Sequence, residues 1–360
     1  MNIYVILTGL IIFLGIILRG DRPESRAFIF AACFALFFVL GFRDCMTVGN
    51  DSSTSYLHAF QRMETTEWSE LPFLFAWGRN AGFHRLMKLV SDLTGGEYQV
   101  FVVLCALTYM VPFTYLIYKY SVNPLQSILM FLGLMIYPLH FNTLKQSMAM
   151  GILLLAFDAV MERKPIRFVL LVLAAALFHF PAIVFLPAYL FARMRLGRRY
   201  LVMLGVLLVG VYLFRDQLLE LMLSTYDTTI YETDMRFLAN KVLIMLAITV
   251  MGVILREPRK GDDLYSALMS FMGVAIVLQT FAGYNNTFER LSNYYFQLTV
   301  LFLPLIFEHA GKPSRLIDED MRYMLQNVAA VGACLFAVFR FIRSVGVGTR
   351  MLPYTFFFMK

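Results

Sequence analysis

Charge is scarce in this chain. Only 15% of its 360 residues are Asp, Glu, Lys or Arg, 59% are hydrophobic, and the mean hydropathy is +0.68. A soluble domain of this length cannot bury that much apolar surface. Cysteine is sparse as well. Cys33, Cys105 and Cys334 fall in apolar runs and Cys45 in a loop, which excludes a disulfide framework and a CxxC metal signal. There is no GxGxxG, Walker, HExxH, GxSxG or paired DxD motif. These absences argue against a soluble nucleotide-sugar enzyme and against an ATP-driven pump. Internal repeats, low-complexity tracts and a separable soluble domain are missing too.

What is present is a series of apolar runs of about 17–25 residues, which predicts an all-α, polytopic integral membrane protein. We expect one transmembrane domain over residues 1–360. The first run, MNIYVILTGLIIFLGIIL, has no basic leader and no small-residue cleavage site, so a retained helix is expected rather than a signal peptide. The net charge of +7 lies mainly in short loops. It therefore speaks for topology and for contact with anionic lipids of the bilayer, not for nucleic acid.

The runs predict about ten full transmembrane helices, over 3–18, 27–42, 99–118, 125–140, 143–161, 200–214, 237–255, 264–284, 290–307 and 324–342. Basic residues cluster at Arg19, Lys119, Arg163, Arg193, Arg256 and Lys312. Such clusters mark the cytoplasmic side. The opposite side receives a long loop, 43–98, with amphipathic pieces such as AGFHRLMKLVSDL that suit helices at the membrane surface. It also receives a second loop, 215–236, and the tail.

The stretch 161–199 sets the topology. Its apolar part is long enough to cross once, yet both flanks are basic. The expected resolution is a V of two half-helices, 168–178 rising and 182–191 returning, with the break at His179-Phe180-Pro181. Pro181 has no N–H and disfavours helical geometry at Phe180. Arms of this length rise only about 18–20 Å, short of the ~30 Å hydrocarbon core. His179 would then face a cavity, because non-helical backbone at that depth needs protein or water around it. The plainer alternative is one kinked span with a hydrogen-bonded histidine.

Polar residues gather at the outer helix ends: Arg43 in GFRD, Asp51 and Tyr56 in GNDSSTSY, Lys145 and Gln146 in NTLKQSMAM, His179 at the apex, and Arg290, Asn293 and Tyr294 in FERLSNYYF. Basic groups in or beside a bilayer are costly and mark a site by default. Three cations at one wet cavity suit a diphosphate, with Arg as a planar fork and Lys as a point charge. Plainer readings stand beside each. Arg43 can snorkel and cap its helix. Arg290 can end a loop, and Tyr294 and Tyr295 can be interfacial aromatics. Asp158 and Arg340 read as packing or snorkelling residues. Tyr226, Asp227, Tyr231, Glu232 and Asp234 in the second loop weakly suggest sugar binding.

The pieces GFRD, GND with Tyr56, LKQSMAMGILLLA, LAAALFHFPAIVFLP, RLSNYYF and LPYTFFF follow one another in an order that resembles the EpsG-like family, within the wider group of Wzy-type exopolysaccharide and O-antigen polymerases. Two positions depart from that pattern. Lys145-Gln146 stands where the family usually has Arg-Gln, and Arg79-Asn80-Ala81-Gly82-Phe83 lacks the Glu usual before the Gly-aromatic pair. The resemblance implies a GT-C-like helical architecture and a metal-independent membrane glycosyltransferase without cofactor. Such a protein joins undecaprenyl-diphosphate-linked oligosaccharide units at the outer face of the bacterial cytoplasmic membrane. Family partners would be chain-length regulators and export proteins. In that scheme Arg43, Lys145 and Arg290 hold the diphosphate, and His179 or Asp51 acts on the acceptor hydroxyl. Gln146, Tyr56, Asn293 and Tyr294 position the glycan. Competing readings are a transporter or flippase of lipid-linked oligosaccharide, and a transferase of a single sugar.

Overall fold

A computed structural model of the chain describes residues 2–49, 56–73, 80–194, 197–223, 235–256, 262–285, 287–308, 318–345 and 351–359. Among these residues the structure is helical, and the one β-type pairing is an isolated antiparallel bridge between Arg43 and Phe356.

The chain opens with α1 (Ile3–Ile17), capped by the Asn2 side chain on the Tyr4 N–H, and α2 (Arg26–Gly41). The first expected loop holds α3 (Leu57–Arg62) and α4 (Ala81–Thr94), followed by α5 (Tyr98–Tyr120). Then come α6 (Pro124–Gly133), with Asn123 as cap and Pro124 at its first position, α7 (Ile136–Leu139) and α8 (Leu144–Met161). Next are α9 (Pro165–Phe178), a 3₁₀ turn over Phe180–Phe185, and α10 (Ala188–Phe191). The later elements are α11 (Arg198–Leu213), α12 (Arg215–Leu223), α13 (Met235–Leu255), α14 (Asp263–Thr280), α15 (Thr287–Phe296), α16 (Thr299–Phe307) and α17 (Glu319–Ser344).

Four stretches are long and apolar enough to cross a bilayer: α5, α8, α14 with its following turn, and α17. Shorter apolar helices, α1, α2 and α6 among them, accompany these four. This is the composition of an integral membrane protein.

Two expected spans are broken. The run 125–140 divides at Met135, which sits at φ 63°, a left-handed value that a non-glycine residue rarely adopts. The break frees the Gly133 carbonyl, and Arg340 of α17 donates to it at 2.6 Å. A Cβ at Gly133 would overlap Ala337, so only glycine admits α17 this closely. The run 290–307 divides between α15 and α16 at Gln297 and Leu298.

The stretch after α9 folds back. The Phe168 ring lies 5.4 Å from that of Tyr189 and 6.3 Å from that of Phe185, and the Arg193 guanidinium donates to the Val160 carbonyl. A straight helix would hold Phe168 and Tyr189 about 30 Å apart. The chain therefore makes the V. Its returning arm differs from expectation: Pro187 splits it into the 3₁₀ turn and α10 instead of one helix over 182–191.

The residues group into two compact units, one of 1–155, 173–180 and 333–360, the other of 156–172 and 181–332. In the first, α3, α4 and α5 share an apolar core that includes Phe60, Phe83, Met87, Phe101 and Met148. Lys88 closes this subassembly. Its ammonium donates to the Met63 carbonyl at 3.1 Å and to Asp92 at 2.6 Å, and the Trp68 indole donates to the other Asp92 oxygen at 3.0 Å. Leu89 and Leu93, one turn apart on α4, are exposed.

The C-terminal residues belong to the same unit. The Asp44 N–H donates to the Thr355 carbonyl (2.8 Å), the Phe357 N–H to the Phe42 carbonyl (3.1 Å), the Tyr354 hydroxyl to the Val39 carbonyl (2.8 Å) and the Tyr4 hydroxyl to the Met351 carbonyl (3.2 Å). Rings of Phe38, Phe42, Phe356 and Phe357 stack around these bonds.

In the second unit the buried Arg256 joins three segments. It donates to Asp262 and Glu308, both at 2.9 Å, and to the Leu305 carbonyl at 2.6 Å. A buried guanidinium is tolerable only when paired in this way.

Candidate functional site

In the first unit the site is built on the start of α8. Lys145 lies in the first turn of that helix. Its ammonium sits 5.8 Å from the Tyr56 ring centroid and 5.5 Å from that of Phe83. These are cation–π distances. The two rings are themselves 5.6 Å apart. Lys145 is half-buried and Gln146 buried.

The first turn of α4 joins this group to the apex of the V. Asn80 adopts φ 46° and does not cap its own helix. Its side-chain oxygen instead accepts the Phe180 N–H at 3.3 Å. A Cβ at Gly82 would lie 3.0 Å from the Leu177 side chain, so α4 seats directly on the end of α9. Phe83, the next residue, carries the ring under Lys145. His179, at the apex, is buried. Tyr56, Lys145 and the apex thus belong to one packed assembly.

Arg43 takes a different place from that expected of an outer-mouth residue. It is 1% exposed, donates to the Leu40 and Phe141 carbonyls, and lies 5.1 Å from the Phe141 ring. Its Nε has no hydrogen-bond partner among the described residues. The side chain lines a narrow crevice with Tyr109, His140 and Ser147 that has no room for a water molecule. There His140 Nδ1 and Ser147 Oγ are 2.7 Å apart. Asp51 lies outside the described residues, as do Tyr226, Asp227, Tyr231, Glu232 and Asp234.

In the second unit α15 carries Arg290, which is half-buried, with Asn293 and Tyr294 buried one turn on. Asn293 is fixed by Lys241 of α13, whose ammonium donates to Asn293 Oδ1 at 2.6 Å and to Glu289 at 2.8 Å. Tyr295 faces inward. Its hydroxyl donates to the Val184 carbonyl at 2.8 Å and ties the returning arm of the V to α15. Asp158, fully buried, pairs with Arg167 at 3.3 Å. Among the described residues no cluster of His, Cys, Asp and Glu could hold a metal ion.

The EpsG family model matches residues 26–357, nearly the whole chain and every helix from α2 to α17. The chain belongs to the EpsG family. No curated protein sequence and no solved structure matches it.

For an EpsG-family chain, two further groups matter that the motif reading passed over. Lys241 and Glu289 form a buried ion pair at 8% and 17% side-chain exposure. Lys241 was visible as a lone cation in the run ANKVLIML, the same signal that drew attention to Lys145. Asn80 was visible only as part of RNAGF. Its role comes from a left-handed backbone and a bond to a residue a hundred positions on.

Proposed function

We propose that this chain is a membrane glycosyltransferase that joins undecaprenyl-diphosphate-linked oligosaccharide units into an exopolysaccharide, capsule or O-antigen chain, at the outer face of the bacterial cytoplasmic membrane and in a GT-C-like arrangement. Membership of the EpsG family and the many apolar helices support the reading. The observation that carries it is Lys145 at the N-terminus of α8, held over Tyr56 and Phe83. A helix N-terminus and an ammonium together favour an anion.

In the proposed reaction the acceptor hydroxyl attacks the anomeric carbon of the donor sugar. The bond from that carbon to the diphosphate oxygen breaks, and the electron pair leaves with the polyprenyl diphosphate. Lys145 stabilises that developing charge, as does Arg290. The hydroxyl proton passes to His179 or Asp51. Arg43 supports the α2 end and the loop before α8 through the Leu40 and Phe141 carbonyls. Gln146, Tyr56, Asn293 and Tyr294 position the glycan. No nucleotide is consumed. Chain-length regulators and export proteins are the partners such a polymerase would take.

The test is product length. Purified protein in liposomes receives a lipid-linked repeat unit and no nucleotide sugar. A ladder of multiples is expected, and loss of the ladder in Lys145→Ala and Arg290→Ala proteins that remain folded. Units of unchanged length would overturn the reading. The broken helices α6–α7 and α15–α16 favour a second reading, transport of the same lipid-linked unit, since transporters build binding sites from discontinuous helices. Movement of the unit across the bilayer without elongation would establish it.

A further inference from the structure

Four side chains at one end of the second unit form a group that the proposed chemistry does not use. The Arg215 guanidinium, at the start of α12, lies 4.7 Å from the Tyr212 ring centroid and 5.5 Å from that of Tyr284. It also donates to the Tyr212 carbonyl at 3.0 Å. The Tyr284 hydroxyl donates to Asp216 Oδ1. The rings stay open nonetheless: Tyr212 is 57% exposed and Tyr284 49%. Asp216 Oδ2 is 4.0 Å from the Arg215 guanidinium, beyond hydrogen-bond reach, and the Asp216 side chain is 64% exposed. Tyr284 also meets the buried Phe288 edge-on at 6.3 Å, which roots the group in α15 two residues before Arg290.

An ordinary interfacial tyrosine needs only water or a headgroup at its hydroxyl. Here one hydroxyl is tied to a carboxylate and both rings share one guanidinium, which fixes their planes. A carboxylate at this point repels anionic headgroups and phosphate. A neutral sugar ring suits what remains. Its C–H face stacks on an aromatic face, whose π electrons are negative. Its hydroxyls find a charged acceptor in Asp216 and donors in Arg215.

We propose that Tyr212, Arg215, Asp216 and Tyr284 form a platform that binds the glycan part of the lipid-linked substrate. The assignment of the glycan's source rests on the function proposed above.

The experiment uses the full chain in phosphatidylcholine nanodiscs. The probe is the water-soluble oligosaccharide released by mild acid from the lipid-linked pool of the producing strain. Binding is followed by saturation-transfer NMR without turnover. The wild type is expected to bind. Tyr284→Ala and Tyr212→Leu are each expected to weaken binding roughly two- to tenfold, the worth of one aromatic stack. Tyr284→Phe, which keeps the ring, is expected to stay within about twofold by the same measure. In the elongation assay the weakened variants should make shorter products. Tyr212→Leu keeps apolar bulk against lipid, so a stable protein with wild-type binding would overturn the platform and leave a lipid anchor. Absence of binding by the wild type would overturn it too. Binding that the variants weaken, in a protein that forms no ladder, would uphold the platform and sink the polymerase reading instead.

Discussion

The side chain of Asn80 holds the backbone of Phe180: Oδ1 accepts its N–H at 3.3 Å, immediately after His179 at the apex of the V. The bond replaces the helical partner that the break at Pro181 removes. It also makes the position of His179 depend on α4, an element of the first loop. Replacing Asn80 with Gly keeps the left-handed backbone, φ 46°, accessible and removes only the acceptor. Polymer synthesis is expected to fall roughly two- to tenfold, the scale of one hydrogen bond. Equal rates in the two proteins would show that the apex does not depend on Asn80.

Lys145 offers a sharper contrast. Lys145→Ala should lower the coupling rate by about 10²–10³, the cost of one preorganised electrostatic donor. Lys145→Arg should remain active, because the charge survives and the fork matches phosphate. The ring contacts to Tyr56 and Phe83 accept either cation. The comparison is read as initial rate at saturating substrate, with folding checked by size-exclusion chromatography.

The Lys241–Glu289 pair is a stability question. Removing one partner leaves the other charge buried, at a cost of about 3–5 kcal/mol. Lys241→Met should therefore lower the thermal midpoint markedly, and Lys241→Met combined with Glu289→Met should recover part of the loss. A single variant as stable as the wild type would mean that the pair contributes nothing.

Asp92 gives a pH dependence. The Lys88 ammonium, bonded to it, holds its carboxyl below the ordinary carboxylate range, and the Trp68 indole adds to this. A carboxyl depressed on folding stabilises the fold above its unfolded value, about 3.9, and that contribution is lost as pH falls through the folded value. The α3–α4 connection should therefore stay closed from neutral pH down to about pH 4 and loosen below it. Trp68 fluorescence in a Trp77→Phe background reports this directly. Asp92→Ala should show the loosened signal already at neutral pH.

Much of the helical order was legible because apolar runs are a local property. The expected 3–18, 27–42, 99–118 and 237–255 lie within two residues of α1, α2, α5 and α13 at each end. The breaks were less legible. Met135 turns left-handed where α17 presses on Gly133, and the contact partner Ala337 lies about two hundred residues later in the chain. The same division holds at the site. Lys145, His179 and Arg290 stand out as polar residues in apolar surroundings. What holds them comes from distant segments: Asn80 for the apex, Phe83 for Lys145, and Lys241 for the Asn293 turn of α15. Arg43 stood out as well, but nothing local says that its guanidinium turns inward toward Leu40 and Phe141.

The pairing of Arg43 with Phe356 also bears on how the protein is made. The N-terminal helices enter the membrane early in synthesis, yet the carbonyl of Phe42 and the N–H of Asp44 find their partners in Phe357 and Thr355. Those partners leave the ribosome more than three hundred residues later. The junction after α2 must wait, unfinished, until they emerge, so the first unit reaches its final form late in synthesis. A nascent chain stalled before Tyr354 should be inserted but incomplete at this junction.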